Sequence, residues 1–282
     1  MNRLTVSDLR DKYRDGEARI SMLTAYDFPT ARILDKCEVD VILVGDSVGT
    51  NVLGYDSEAS VTLADMIHHT AAVARGTARS FVLADLPKGT VDDPELAVSS
   101  AKALVAAGAD GVKIEVDGEN RLASIRAVVA CGIPVCSHVG YTPQSGGLKA
   151  EVQGKSIGRA MEILSLSIES ERAGAFMIVI ELVPEELADH ISLTINIPTI
   201  GIGSGRYTTG QVQVFHDIAG ISEKTFRHTR RFAEIGAATA EAVSVYVKAV
   251  ELKKFPTHEN AAHIDDEMKT ALTIATMEFF SK

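Results

Sequence analysis

Eight short apolar runs, each followed by a stretch with helical spacing, alternate from about Ile20 to about Ala219, and no other feature constrains the fold as much. Strands separated by helix-length segments read as βαβ units, which build a parallel sheet covered by its crossover helices. The runs begin near Ile20, Val41, Ser80, Gly111, Ile133, Ala175, Ile197 and Gln211. Eight such units close into a barrel. The rival, a doubly wound open sheet, calls for a phosphate-binding glycine-rich turn directly after its first strand. Here that place holds Ala25-Tyr-Asp-Phe-Pro29. The expected fold class is therefore α/β, a (β/α)8 TIM barrel, and a chain of 282 residues, 46% hydrophobic, has the length and the core for one.

Ahead of the first strand, Val6 to Arg14 reads as a short amphipathic helix with Ser7 as N-cap and Gly16 as stop, suited to covering the bottom of the barrel. Asp93-Pro94 opens a helix through Leu104, because proline suits a first helical turn. From Ser222 the character changes. Ser222 to Ile235 and Ala238 to Leu252 read as helices, Pro256 breaks the chain, and a last helix is expected around Ile264 to Phe280. The domain reading is one barrel over residues 1–255, capping helix included, and extra C-terminal helices over 256–282. Leu272, Ile274, Met277, Phe279 and Phe280 need a covering surface, on this barrel or on a neighbouring subunit.

A formal net charge of −10 argues against nucleic acid or an anionic membrane as partner and for small-molecule chemistry. Cys37, Cys131 and Cys136 lie in or beside apolar segments and are odd in number, which favours reduced thiols in the cytoplasm. The first sixteen residues do not resemble a signal peptide, and no stretch approaches the ~18 apolar residues of a membrane span.

Asp46, Asp85, Glu115, His138 and Glu181 each fall at or just past the C-terminal end of an apolar run. In a parallel barrel those ends open onto one face. Asp46 and Asp85 are candidate ligands for a hard divalent cation such as magnesium, with Glu115 as a third or water-mediated ligand. The alternative is that the aspartates cap the helices that follow. Lys113 and Glu115 are two apart on one strand and so share a face. A lysine inside a barrel is costly unless an anion meets it. A substrate carboxylate would meet it, and so would a buried carboxylate of the protein. His138 could donate to a substrate oxygen or be structural. Glu181 follows Met177-Ile-Val-Ile180, where desolvation would raise its pKa toward that of a general base. Gly201-Ile-Gly-Ser-Gly205 reads as a tight turn rather than a nucleotide loop. Gly146-Gly147 with Gly154 reads as a mobile lid, and His68-His69 as helix surface.

Several segments carry a resemblance: Val44-Gly-Asp-Ser-Val-Gly49, Leu53-Gly-Tyr-Asp-Ser57, Val61-Thr-Leu-Ala-Asp65, Ala84-Asp-Leu-Pro87, Val112-Lys-Ile-Glu115, His138-Val-Gly-Tyr-Thr-Pro-Gln-Ser145 and Gly201-Ile-Gly-Ser-Gly205. From about Leu4 to Phe255 the chain resembles the ketopantoate hydroxymethyltransferases. The resemblance implies a phosphoenolpyruvate mutase-like barrel, a homo-oligomer, often a decamer, and Mg2+ at Asp46, Asp85 and Glu115. It further implies that Ser47, Asp85 and Lys113 contact the keto acid and that Glu181 is the proton acceptor. The implied reaction moves a one-carbon unit from 5,10-methylenetetrahydrofolate to 2-oxo-3-methylbutanoate, giving 2-dehydropantoate. The route is a magnesium-stabilised enolate, helped by Lys113 or His138. Reduced folate is a co-substrate. Lys88 stands where that family usually has an aromatic, the 144–154 loop and Thr209-Gly210 depart from its pattern, and the segment after Pro256 has no evident counterpart. These departures bear on the side-chain pocket, the folate contacts and the lid. The competing readings are a magnesium-dependent lyase or mutase of the same superfamily, whose Lys-x-Cys-Gly-His loop is missing here, and a non-catalytic binding barrel.

Overall fold

Apolar runs of four to six residues form the strands: β1 Ile20–Thr24, β2 Val41–Val44, β3 Phe81–Asp85, β4 Gly111–Glu115, β5 Val135–Gly140, β6 Met177–Glu181, β7 Thr199–Ile202 and β8 Gly210–Gln213. In the computed structural model, which describes residues 3–16, 18–145 and 151–281, they pair in parallel in chain order, and β8 pairs back onto β1 to close the barrel. The helices around it are α1 Val6–Asp15, α2 Phe28–Lys36, α3 Leu63–Gly76, α4 Pro94–Ala106, α5 Glu119–Ala130, α6 Ile157–Arg172, α7 Glu185–Thr194 and α8 Phe215–Ile218. β7 and β8 are joined by residues 203–209 without a helix, an exception to the expected alternation.

The two-residue period of a strand separates two apolar layers. Val41 and Leu43, Phe81 and Leu83, and Met177 and Val179 point inward, with the Phe81 and Phe176 rings 5.5 Å apart. Ile42, Val44, Val82, Val112, Ile114, Ile178 and Ile180 pack outward against the helices. Leu9 of α1 joins the inner cluster at 1% exposure, so this helix closes the N-terminal end as expected. Its cap is Thr5 and not Ser7. The Thr5 hydroxyl accepts from the Asp8 amide while the Asp8 carboxylate accepts from the Thr5 amide, a reciprocal arrangement that Ser7 has no acid to complete. Gly16, with φ of 65°, ends the helix.

At the end of α2, the Asp35 carboxylate accepts from the amides of Ala78, Arg79 and Ser80 at 3.1, 2.9 and 2.8 Å, fixing the entry to β3. Partial burial works against its ionisation, but these donors outweigh it and hold the carboxyl below its ordinary value. A carboxyl depressed in the folded state contributes stability above its unfolded pKa and loses it as pH falls through the folded one. Asp35→Asn should therefore cost about 1–2 kcal/mol at neutral pH, discounted for the solvent around this partly exposed group. Urea titrations should show the deficit shrinking below the unfolded pKa of about 3.9.

Contacts divide the chain at Ala233, with the remaining residues forming a second unit. That unit holds α9 Ile235–Glu251 and α10 Asp266–Phe280, neither of which has a buried residue. The division precedes α9 and does not fall at Pro256. The helix expected over Ser222 to Ile235 does not form. Arg231 Nη2 donates to the carbonyls of Ser222 and Glu223 at 2.8 and 3.2 Å, and the Phe232 amide donates to the Ile218 carbonyl at 2.7 Å. Long-range hydrogen bonds thus replace helical ones. Gly146-Gly147, expected as a lid, lies outside the described residues. No helix among the described residues is long and apolar enough to cross a membrane.

Candidate active site

The inward positions that carry apolar groups near α1 carry polar ones at the opposite end. Asp85 stands beside Lys113 in the strand register, Glu115 beside His138, and Gly140 beside Glu181. Asp46 and Ser47 follow β2. All seven expected site residues, Asp46, Ser47, Asp85, Lys113, Glu115, His138 and Glu181, line one cavity of about 940 Å³. Asp46, Asp85, Lys113, Glu115 and His138 are buried, while the Glu181 side chain keeps 23% of its surface exposed.

Lys113 Nζ lies 2.6 Å from Asp85 Oδ1, so a protein carboxylate meets the buried ammonium. The other Asp85 oxygen accepts from the Asp46 amide at 3.1 Å. This close approach passes over Gly45, where a Cβ would lie 2.9 Å from Ser47 Oγ. Neither aspartate caps a helix: Thr62 caps α3 and Asp93 caps α4. Burial, then the Asp85 charge, pushes the Asp46 carboxyl well above its ordinary value, with Lys113 opposing and Glu115 adding. Burial alone would depress Lys113, yet Asp85, Asp46 and Glu115 together raise it.

Three buried carboxylates around one ammonium leave a surplus of negative charge, which a divalent cation would neutralise. Among the described residues no three His, Cys, Asp or Glu side chains converge into a ready-made metal cage. An open set of Asp46 and Asp85 with Glu115 behind suits a hard ion that keeps several waters and shares its sphere with substrate oxygens.

His138 bridges two of the acids, with Nδ1 3.6 Å from Glu115 and Nε2 3.2 Å from Glu181. Burial and Lys113 oppose its protonation, but the neighbouring carboxylates of Glu115 and Glu181 prevail and raise its pKa to about 9.

Residue-level reading passed over Gln144, although it sits in the segment from His138 to Ser145. Its side-chain amide donates to Asp46 Oδ2 at 2.8 Å and to the Leu86 carbonyl at 3.0 Å, and its backbone amide donates to Glu115 at 2.9 Å. One residue thereby ties two of the carboxylates together. Tyr26 lies in the turn after β1, where no local pattern marks it as part of the site. It is buried, and its hydroxyl shares a 2.8 Å hydrogen bond with Ser47, while His69 Nδ1 holds its carbonyl at 2.6 Å. Lys88 is exposed and lies off the cavity wall.

The family described as ketopantoate hydroxymethyltransferase matches residues 3–258. A protein of Roseiflexus sp. (strain RS-1) named 3-methyl-2-oxobutanoate hydroxymethyltransferase is 46% identical over 275 residues, covering 96% of this chain and 98% of that one. One of the same name from Acetivibrio thermocellus is 44% identical over 276 residues, covering 94% and 95%. The 4% left uncovered by the first is smaller than the segment after Pro256, so the likeness reaches into that segment, contrary to expectation. Among solved structures, a phosphonopyruvate hydrolase in complex with oxalate and Mg++ superposes with a TM-score of 0.61 at 14% identity, covering 98% and 97%. A 2,3-dimethylmalate lyase of the PEP mutase/isocitrate lyase superfamily gives 0.59 at 17%, covering 98% and 99%. At these identities the likeness is one of fold.

Proposed function

Because the chain belongs to the ketopantoate hydroxymethyltransferase family, we propose that it moves a one-carbon unit from 5,10-methylenetetrahydrofolate to 2-oxo-3-methylbutanoate, forming 2-dehydropantoate. The observation that carries this reading is the convergence of a carboxylate-rich floor and a His138–Glu181 pair on one cavity. Asp46 and Asp85, with Glu115 directly or through water, would hold a magnesium ion, and the ion when bound would supply electrophilic polarisation of a carbonyl.

Glu181 is the general base. It is the least buried of the strand-end acids, which suits a group that must reach a substrate carbon. His138, charged at neutral pH, holds the Glu181 carboxylate in position and adds a fixed positive charge to the cavity wall. Lys113 adds a second fixed cation beneath it. Ser47, aimed by Tyr26, offers a hydroxyl to the keto acid.

Proton NMR in deuterated buffer with the protein and magnesium tests both halves. The methine signal of 2-oxo-3-methylbutanoate should exchange without folate, and hydroxymethyl signals should grow once methylenetetrahydrofolate is added. Absence of both events, in protein that still binds magnesium, would overturn the proposal.

Gln144→Leu removes the amide that orients Asp46 while leaving every carboxylate in place. Magnesium binding, followed by calorimetry, should weaken about ten- to a hundredfold, the usual cost of losing a group that orients a metal ligand.

We further propose a homo-oligomer, a decamer by family resemblance, working in the cytoplasm. Exposed Val243, Tyr246, Leu272, Met277, Phe279 and Phe280 on α9 and α10 support subunit contacts, and three free thiols support a reducing compartment.

A further inference from the structure

The cavity is far larger than a five-carbon keto acid requires. At about 940 Å³ it falls within the roughly 300–1,000 Å³ range of pockets for drug-sized ligands. Its acidic floor accounts for the small substrate and for the cation. Much of the remaining wall comes from residues 221–228, the stretch that does not form the expected helix. Gln213 Nε2 donates to the His228 carbonyl at 3.3 Å, which, with the Arg231 hydrogen bonds, fixes the loop against β8.

This wall offers aromatic rings. The Phe226 and His228 rings lie 15° from parallel with centroids 5.6 Å apart, and Phe226 keeps 47% of its surface exposed. Gly203 backs the imidazole. A Cβ there would stand 2.7 Å from Leu182 Cδ2 and 3.3 Å from His228 Nδ1, and φ is +65°, so a side chain here would clash with Leu182 and crowd the histidine. Burial holds His228 below its ordinary pKa, keeping the ring neutral and fit for stacking.

The wall also offers charge. Lys155 and Arg227 line both the main cavity and an adjoining cleft of about 390 Å³. Both are exposed, and none of the ion pairs among the described residues includes either. Lys224 adds a third cation to the main cavity, while Asp56, Glu58, Glu151 and Glu223 also line it, so its mouth is not uniformly positive. In the cleft, the carboxylate of Glu185 is taken by Arg206 at 3.2 Å. Lys155 and Arg227 thus remain for an anion arriving from outside.

We propose that residues 221–228 form the subsite for the one-carbon donor: the bicyclic head of the reduced folate stacks on Phe226 and His228, and its anionic glutamate tail runs along Lys155 and Arg227 into the cleft. The assignment rests on the reading of the chain as a folate-dependent transferase. It accounts for the excess volume, for the aromatic wall and for the two cations shared by the cavity and the cleft together.

The test uses the full chain with magnesium, comparing the wild type with Phe226→Ala and with the double variant Lys155→Ala/Arg227→Ala. Each is measured for folate-independent methine exchange, for the KM of methylenetetrahydrofolate and of the keto acid, and for binding of two fragments, 6-methyltetrahydropterin and p-aminobenzoylglutamate. Phe226→Ala should raise the folate KM about tenfold and weaken the pterin fragment. The double variant should raise the folate KM and weaken the glutamate fragment alone. Exchange and the keto-acid KM should stay at wild-type values, which also shows that the variants are folded. Unchanged folate KM in both variants would overturn the donor subsite, and so would loss of methine exchange, because the wall would then serve the keto acid. A wild type that exchanges the methine but makes no product from the folate would overturn the functional reading itself, and the subsite with it.

Discussion

Glu181→Gln should slow methine exchange of 2-oxo-3-methylbutanoate by about 10²–10⁴, the usual contribution of a positioned base, while keto-acid affinity by calorimetry changes little. The substitution keeps size and shape, and binding relies on Ser47, Lys113 and the carboxylate floor rather than on the reacting acid. The effect therefore belongs in kcat, because the lost interaction is made only on the way to the transition state. The same variant has a second readout through His138, whose pKa of about 9 depends on Glu115 and Glu181 against burial and Lys113. A histidine raised in the folded state contributes stability fully below its unfolded pKa and loses it as pH rises through the folded one. The melting temperature of metal-free Glu181→Gln should accordingly fall furthest below wild type beneath about pH 6.5 and converge on it above about 9. Exchange at the wild-type rate would remove Glu181 from the role of base. An unchanged pH profile of stability would remove the His138 coupling alone.

The barrel and its acidic floor were legible because both follow from a two-residue period. Val112 and Ile114 face the helices, so Lys113 and Glu115 must face the interior. The same reasoning carries Asp85 and His138 inward beside them through the strand register. Gln144 escaped because its role depends on a turn that brings it to Asp46, 98 positions away, and no local pattern encodes that contact. Ser222 to Ile235 misled for a related reason. Its pattern reads as a helix, but Gln213 on β8 and the carbonyl of Ile218 supply competing hydrogen bonds that only the closed barrel can place. Thr5 instead of Ser7 as the cap of α1 is a local matter, decided by Asp8 standing three residues after Thr5. The departure at Lys88 leaves the cavity wall unchanged, since that residue is exposed and does not line it.

Lys113→Met should destabilise the metal-free protein by about 3–5 kcal/mol, the cost of removing one partner from a buried ion pair. Against a total stability of about 5–15 kcal/mol this is a large fraction. The cause is specific. Lys113 lies 2.6 Å from Asp85, and its raised pKa reflects Asp85, Asp46 and Glu115 acting against burial, so its loss leaves three buried carboxylates facing one another. The Asp46 carboxyl, already raised by burial and Asp85, should rise further. A carboxyl raised in the folded state contributes stability at low pH and loses it as pH climbs through the folded pKa, so the deficit of the variant should widen from acid toward neutral pH. A divalent cation reverses the deficit, since it restores the missing positive charge and binds the folded form alone. Saturating magnesium should raise the melting temperature of Lys113→Met more than that of the wild type, while keto-acid binding falls because the second cation beneath the substrate is gone. Equal stability of the two proteins without metal would show that Lys113 does not compensate the acidic floor. A smaller magnesium shift in the variant would show that the ion binds elsewhere than among Asp46, Asp85 and Glu115.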